Sequence, residues 1–249
     1  MKKGLATVVG ASLLLTGTAT AMEKESHYNY RYVKYFLPAQ SFAKGSGTGN
    51  IKGRVVYVGK RKLKNRKKLI TKDKEVCGRG YKIDRVYELS KDGGVKNAVV
   101  FLNISGGGKD SERLVQRKCE FHPRVVSLTA GGTLEVVNED EVKHEANGVQ
   151  DFETIFQLSQ HKKGMVDRVK LKKPGVVEVT CNIHGWMKGW VVVAPGPYHA
   201  VTDERGNFVI EGVPAGTHTL RLWHEGFGEK KLRVKVQEGK TSTVTFELR

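Results

Sequence analysis

One short segment of the sequence concentrates side chains that bind soft metals. It reads Cys181-Asn182-Ile183-His184-Gly185-Trp186-Met187, so a thiol, an imidazole and a thioether fall within seven residues. Cysteine sulfur, histidine nitrogen and a weak axial methionine sulfur are the ligands of a blue-copper electron-transfer site, which takes a second histidine from elsewhere. His144, just past a strand-like run, is the candidate. The sequence therefore predicts one copper bound by His144, Cys181, His184 and Met187.

These side chains have three other possible interpretations. A lone cysteine or methionine usually lies in a core, so the three could simply pack one end of a β-sandwich. A binuclear copper centre requires a second cysteine near Cys181, and a multicopper oxidase requires His-x-His pairs; the sequence has neither. One copper with four protein ligands leaves no open coordination position, so we expect a binding protein and not an enzyme.

The elements around these ligands resemble those of the cupredoxin family. Residues 121–138 follow its opening, a strand, a glycine turn and a strand bearing an N-x-D motif, and the Cys-x2-His-x2-Met loop is most similar to that of amicyanin. Alternation places Cys181 on the core side of its strand. The resemblance implies a Greek-key β-sandwich with one type 1 copper. It also implies a solvent-facing electron-transfer surface formed by His184, Gly185 and Trp186.

One position departs from the cupredoxin pattern. Many cupredoxins have asparagine directly after the first histidine ligand, where it ties the two ligand loops together; here that residue is Glu145. Asn138, Asn147 and Asn182 are candidates to replace it. The residues from His144 to Lys163 show no regular pattern, so we expect an irregular stretch there.

A second resemblance covers both sides of the copper segment. Residues 200–208 and 212–220 resemble the back half of a carboxypeptidase-regulatory-like, transthyretin-type sandwich, and residues 51–55 and 95–101 resemble its opening strands. The expected fold class is all-β, a cupredoxin sandwich plus this smaller sandwich. The resemblance implies that residues 49–110 and 196–249 form one discontinuous domain, with the copper domain of residues 111–195 inserted. The combination resembles exported bacterial proteins often labelled methylamine-utilisation or plastocyanin-like.

The N-terminus has the features of an export signal. Two lysines precede an apolar run and small residues up to Ala21, which predicts a signal peptide over residues 1–21, cleaved after Ala21, and a periplasmic location. Residues 22–48 are predicted to be a tyrosine-rich basic arm and a Gly/Ser linker. In an oxidising compartment, Cys77 and Cys119 are expected to form a disulfide; the alternative is two free buried thiols.

The charge of the chain narrows the choice of partner. Its formal net charge is +17, which often indicates nucleic acid, but export argues against that. The remaining partners are an acidic redox protein, such as a c-type cytochrome or a dehydrogenase, and an anionic membrane or envelope surface. The dense basic run from Lys60 to Lys68 is interpreted as a solvated, mobile loop, because like charges repel; the alternative is a dedicated binding patch.

These features together predict a periplasmic, mononuclear type 1 copper protein that carries single electrons between redox partners. Two alternatives stay open. The first is a copper carrier or metallochaperone, and the second is a cell-envelope interaction module in which copper is structural.

Overall fold

The computed structural model describes residues 47–108 and 110–249. The predicted signal peptide and all but the last residues of the predicted arm and linker lie outside this range. Within it the chain is nearly all β-structure, and no helix is long and apolar enough to cross a membrane. A single short helix, α1, spans Lys74–Cys77. The strands are, in chain order, β1 (Thr48–Tyr57), β2 (Arg66–Leu69), β3 (Tyr81–Asp84), β4 (Val99–Leu102), β5 (Ser111–Arg117), β6 (Glu120–His122), β7 (Val125–Thr129), β8 (Thr133–Asn138), β9 (His144–Gln150), β10 (Glu153–Gln160), β11 (Val166–Lys170), β12 (Gly175–Cys181), β13 (Lys188–Ala194), β14 (His199–Val201), β15 (Asn207–Pro214), β16 (Gly216–His224), β17 (Gly228–Val236) and β18 (Thr241–Leu248).

The middle of the chain forms the first sandwich. Its two sheets have the strand orders β10-β9-β12-β13-β7 and β11-β8-β5-β6. Every second residue of β12 is buried, from Gly175 to Cys181, which confirms the alternation expected from the sequence. Apolar side chains from both sheets, Leu114 and Leu134 from one and Val177 and Val191 from the other, share one core. Cys181 therefore ends its strand inside the protein.

The second sandwich combines strands from both sides of the first. Its sheets have the orders β15-β1-β18 and β14-β4-β16-β17. β1 pairs with β15 and β18, and β4 lies between β14 and β16. A separate core, with Ile51, Leu102, Leu222 and Phe246 among its members, fills the space between the two sheets. The domain boundaries given above stay a prediction.

A segment that we call the cover, residues 66–84, lies between β1 and β4 in the sequence but packs on the first sandwich. It consists of the β2–β3 ribbon and α1. Ile70 and Cys77 are buried in the core of the first sandwich, and burial of an isoleucine contributes about 1.5–3 kcal/mol. Cys77 forms the predicted disulfide with Cys119. The expectation of a mobile loop was wrong for Arg66–Lys68, which belong to β2.

A buried charge cluster joins the two sandwiches and the cover. Arg124, just before β7, contacts Glu225 in the β16–β17 turn at 2.5 Å and Asp84 of the cover at 2.5 Å. Trp190 of β13 donates its indole N–H to the same Glu225 at 2.9 Å. The side chains of Arg124, Asp84 and Glu225 are 14%, 9% and 3% exposed. The cluster therefore fixes the cover against both sandwiches.

Candidate metal centre

Two neighbouring strands bring the candidate metal-binding side chains together. β9 begins at His144 and β12 ends at Cys181, and the antiparallel pairing sets Cys181 opposite Ala146. His184 follows in a turn that is closed by the Met187 N–H, which donates to the His184 carbonyl at 2.9 Å. The sequence missed β9 and β10, because their mixed polar and apolar residues show no clean alternation. The strand pairing nevertheless places the ligand candidates at one end of the sandwich.

Three of the four predicted ligands converge on one point. Cys181 Sγ lies 3.9 Å from His144 Nδ1 and 3.7 Å from His184 Nδ1. A first-row metal at bond lengths of about 2.0–2.3 Å in a trigonal plane would place sulfur and nitrogen roughly 3.8 Å apart. The two Nδ1 atoms are 3.0 Å apart, closer than the roughly 3.5 Å of that plane, so the rings separate slightly as a metal enters. The donor set and its spacing fit copper.

Met187 is buried and belongs to the same core as Cys181 and Trp186. Its place after the His184 turn is consistent with an axial ligand, and that role stays a prediction. The Cys77–Cys119 disulfide also borders the site, with both sulfurs within 4.8 Å of a ring nitrogen of His184. Because they are bonded to each other, they offer no thiolate to a metal.

In both histidines, the Nε2 atom is hydrogen-bonded to a carboxylate. His144 Nε2 lies 2.9 Å from Asp140 and His184 Nε2 lies 2.8 Å from Asp73. An ionised carboxylate only accepts hydrogen bonds, so each Nε2 carries a proton and each Nδ1 presents a lone pair or a second proton to the centre. Asp140 also accepts the backbone N–H groups of Lys118 and Cys119. Both ring orientations are thus set before a metal arrives.

The electrostatics of the centre favour a bound cation. Burial alone raises the pKa of the Cys181 thiol, but hydrogen bonds with His144 and His184 outweigh it and lower the pKa to about 5. Burial likewise lowers the pKa of His144, yet Asp140 and Cys181 raise it to about 8. At neutral pH the metal-free centre therefore pairs a thiolate with a protonated imidazole. A metal ion replaces that proton on binding.

Glu145 takes over the role of the asparagine that the sequence lacks at this position. Its backbone N–H donates to Cys181 Sγ at 3.4 Å, and its carboxylate accepts from the Asn182 amide at 3.2 Å and the Ser159 hydroxyl at 3.0 Å. The Asn182 N–H donates to the Glu145 carbonyl at 3.0 Å. The Glu145–Asn182 pair thus ties the two ligand loops together, and Asn182 is the candidate that does so.

The predicted electron-transfer surface was wrong in two of its three residues. Gly185 is exposed, but His184 has no exposed surface and Trp186 is only 6% exposed. Trp186 donates its indole N–H to the Cys119 carbonyl at 3.0 Å, which turns its ring inward. The cover lies over His184, with Asp73 on its outer nitrogen. The histidine edge therefore meets the cover instead of solvent.

Asp73 is the residue at the centre that no sequence motif could have identified. It stands at the N-terminus of α1 with left-handed backbone angles, φ 46° and ψ 43°, yet its side chain makes no helix-capping hydrogen bond. Aspartate at this position usually caps the helix, and left-handed angles are uncommon outside glycine. Here the carboxylate contacts His184 instead, so the local geometry of the cover serves the centre.

Comparisons with known proteins agree with the fold described above. Residues 188–249 match the family model of the carboxypeptidase regulatory-like domain. No curated protein matches the chain. The solved structures similar to it include a purple cupredoxin from Nitrosopumilus maritimus, with 18% identity over 33% of this chain and 98% of that one and a TM-score of 0.30.

Two further solved structures are similar to the chain over about a third of its length. Amicyanin from Paracoccus versutus shares 19% identity over 34% of this chain and 83% of that one, with a TM-score of 0.31. A Cu-containing nitrite reductase from Thermus scotoductus SA-01 shares 28% identity over 36% of this chain and 24% of that one, with a TM-score of 0.29. The described residues are nearly all β-structure, and residues 188–249 match the carboxypeptidase regulatory-like domain.

Proposed function

We propose that the protein is a mononuclear type 1 copper protein that carries single electrons between redox partners. The observation that supports this most strongly is the convergence of the Cys181 sulfur and the two Nδ1 atoms of His144 and His184, with each Nε2 held by a carboxylate. Bound copper would supply the one-electron couple. The chain supplies a thiolate, two oriented imidazoles and the buried thioether of Met187.

Burial of the centre favours electron transfer over metal delivery. His144 and His184 have no exposed surface, and Cys181 and Met187 are 3% and 2% exposed. A copper carrier must offer its metal to incoming ligands, whereas an electron carrier needs a rigid, dry site that changes little between oxidation states. The close-packed side chains around the site exclude water and resist rearrangement. The copper-carrier alternative therefore ranks below electron transfer.

The location and the partner are part of the same proposal. The Cys77–Cys119 disulfide is typical of an oxidising compartment, which supports export to the periplasm. The net charge of +17 supports an acidic redox partner, with attraction that weakens as salt increases. With four protein ligands, the centre is proposed to carry electrons and not to bind a substrate for catalysis.

A spectroscopic titration tests this proposal. One equivalent of Cu(II) added to the purified protein is expected to give an intense red-region absorption band and narrow copper hyperfine splitting in the EPR spectrum. Ascorbate is expected to bleach the band and reoxidation to restore it, with the metal resistant to chelators throughout. A weak, ordinary Cu(II) spectrum would count against type 1 copper. Rapid loss to a chelator would favour the carrier, and a bound but redox-inert copper would favour the structural role.

Replacing Asp140 by asparagine is expected to weaken Cu(II) binding by about 10–100-fold, the usual effect of losing a residue that orients a ligand. Asp140 accepts the His144 Nε2–H and two backbone N–H groups, and an amide presents one acceptor atom where the carboxylate has two. Competition with a chelator of known affinity measures the change. Glu139→Gln is the control, since this neighbouring carboxylate pairs with Arg117 at the surface. If the two variants bound Cu(II) with equal affinity, Asp140 would have no role in the metal site.

A further inference from the structure

The ribbon of the cover has its polar and apolar faces reversed relative to an ordinary surface hairpin. Its inward face makes ion pairs with the body of the protein, Lys82 with Glu120 at 3.2 Å and Asp84 with Arg124 at 2.5 Å. Asp84 also contacts Lys68 of the same ribbon at 3.5 Å. A half-buried ribbon normally places apolar side chains inward and polar ones outward. Here the ionic side faces the protein.

The outward face of the ribbon is apolar. The pairing of Leu69 with Tyr81 and of Lys67 with Ile83 places all four on one side. Leu69, Tyr81 and Ile83 are 54%, 62% and 44% exposed, and they are three of the nine exposed large hydrophobic side chains in the described residues. Single exposed hydrophobics are common on any surface, whereas adjacent ones usually indicate contact with a partner.

The charge around the apolar face indicates what kind of partner fits it. Residues 60–85 contain twelve lysines and arginines against three acidic residues, so they carry +9 of the chain's net +17. Several of these basic side chains are exposed, among them Arg66, Lys67, Arg79 and Arg85. An apolar centre with a basic rim is complementary to an apolar centre with an acidic rim.

The cover also connects the metal centre to the surface. Asp73 accepts a hydrogen bond from His184 Nε2 at 2.8 Å. The Cys77–Cys119 disulfide borders the same histidine, and Ile70 fixes the end of β2 in the core below. A partner bound to the ribbon would therefore contact the segment that is hydrogen-bonded to a metal ligand.

We propose that the outward face of the cover, formed by Leu69, Tyr81 and Ile83 within a basic rim, is the docking surface for an acidic redox protein that exchanges electrons with the metal centre. The proposal rests on the proposed function. In the direction tested below, bound copper would supply one electron from its Cu(I) state, and the partner's ferric haem would accept it and become ferrous, with no proton or leaving group involved. The cover replaces the exposed histidine edge as the site of contact.

Stopped-flow kinetics with three oxidants test the surface. The triple variant Leu69→Thr/Tyr81→Thr/Ile83→Thr keeps good strand-forming residues while removing the apolar contact. The control variant Phe152→Asn/Ile155→Thr/Val166→Thr removes the same number of exposed hydrophobics elsewhere on the first sandwich, with asparagine chosen because Phe152 has a positive φ of 68°. The wild type and both variants are reduced and mixed with an oxidised acidic c-type cytochrome, an oxidised basic c-type cytochrome or hexacyanoferrate(III).

The wild type is expected to reduce the acidic cytochrome much faster than the basic one, with a rate that falls as salt increases. The triple variant is expected to lose about tenfold or more of the rate with the acidic cytochrome. Its visible spectrum and its rate with hexacyanoferrate(III) should match the wild type. The control variant should match the wild type in every measurement. Lys67→Glu, which changes only an exposed rim charge, should lower the rate with the acidic cytochrome and reduce its salt dependence.

Each contrary result has a distinct meaning. A triple variant that reacts with the acidic cytochrome at the wild-type rate would overturn the docking surface, as would a wild type with no preference for the acidic cytochrome over the basic one. A loss of rate in the control variant equal to that in the triple variant would do the same. Failure of the wild type to reduce hexacyanoferrate(III), or absence of its intense absorption band, would instead overturn the proposed function itself.

Discussion

Replacing Cys181 by serine is expected to abolish the intense visible absorption of the copper-loaded protein. The absorption requires charge transfer from a thiolate to copper, and a serine hydroxyl is neither soft nor ionised at neutral pH. Cys181 is the free cysteine of the described chain and lies within 3.9 Å of both histidine Nδ1 atoms. Absorption and EPR spectra of the copper-loaded variant measure the change. Copper that stays bound should show the weak spectrum of an ordinary nitrogen and oxygen site.

Met165→Leu is the matched control for that substitution. Met165 belongs to the same sandwich, and its sulfur accepts a hydrogen bond from the His161 N–H at 3.2 Å, so the change removes a sulfur without altering a proposed ligand. The control should keep the full absorption band. If the serine variant also kept it, the thiolate would not be the source, and the role as an envelope module with structural copper would take the place of electron transfer.

The positions of the candidate ligands in the fold could be predicted because their signals are local. Cys181, His184 and Met187 lie within one loop, and the alternation of Val177 and Val179 fixes the face on which the thiol emerges. Strand period and loop spacing are dictated by backbone geometry, so they can be read without knowledge of distant contacts. His144 followed from the requirement for a second imidazole beyond a strand.

The cover could not be predicted, because its ribbon places charged side chains inward and apolar side chains outward, the reverse of the usual arrangement. A run of lysines and arginines predicts solvation, and nothing in Arg66–Leu69 signals that Asp84 and Glu120 neutralise the inward face. Asp73 is 111 residues from His184 in the sequence, and their contact depends on the tertiary fold. The expectation of an exposed His184 was wrong for this reason.

The roles of Asp140 and Glu145 could be predicted only in part. Asp140 belongs to the N-x-D motif of the sequence, but its hydrogen bond to His144 depends on the folded structure. Glu145 was noted as a departure that left the loop connection open, and its pairing with Asn182 needs the two strands in register. A motif therefore located these residues, while the folded chain determined what each contacts.

Replacing Arg124 by methionine is expected to destabilise the folded protein by about 3–5 kcal/mol, because it leaves buried carboxylates without their partner. Glu225 is 3% exposed, and without Arg124 its carboxylate would keep the hydrogen bond from the Trp190 N–H. Asp84 would keep its ion pair with Lys68 at 3.5 Å. Urea unfolding at neutral pH measures the loss as a lower midpoint. Arg113→Met is the control: its pair with Glu135 involves an arginine that is 67% exposed, and such a pair contributes about 1 kcal/mol or less.

A second substitution distinguishes a buried charge from lost packing. In Arg124→Met/Glu225→Gln, the glutamine can still accept the Trp190 N–H but carries no charge, so much of the lost stability is expected to return. If the double variant is no more stable than the single one, the cost lies in packing of the arginine stem and not in the uncompensated carboxylate. If Arg124→Met costs no more than Arg113→Met, the cluster does not hold the sandwiches and cover together. Since Asp84 belongs to the cover, the full effect would show that the stability of the whole chain and the covering of His184 depend on the same buried arginine.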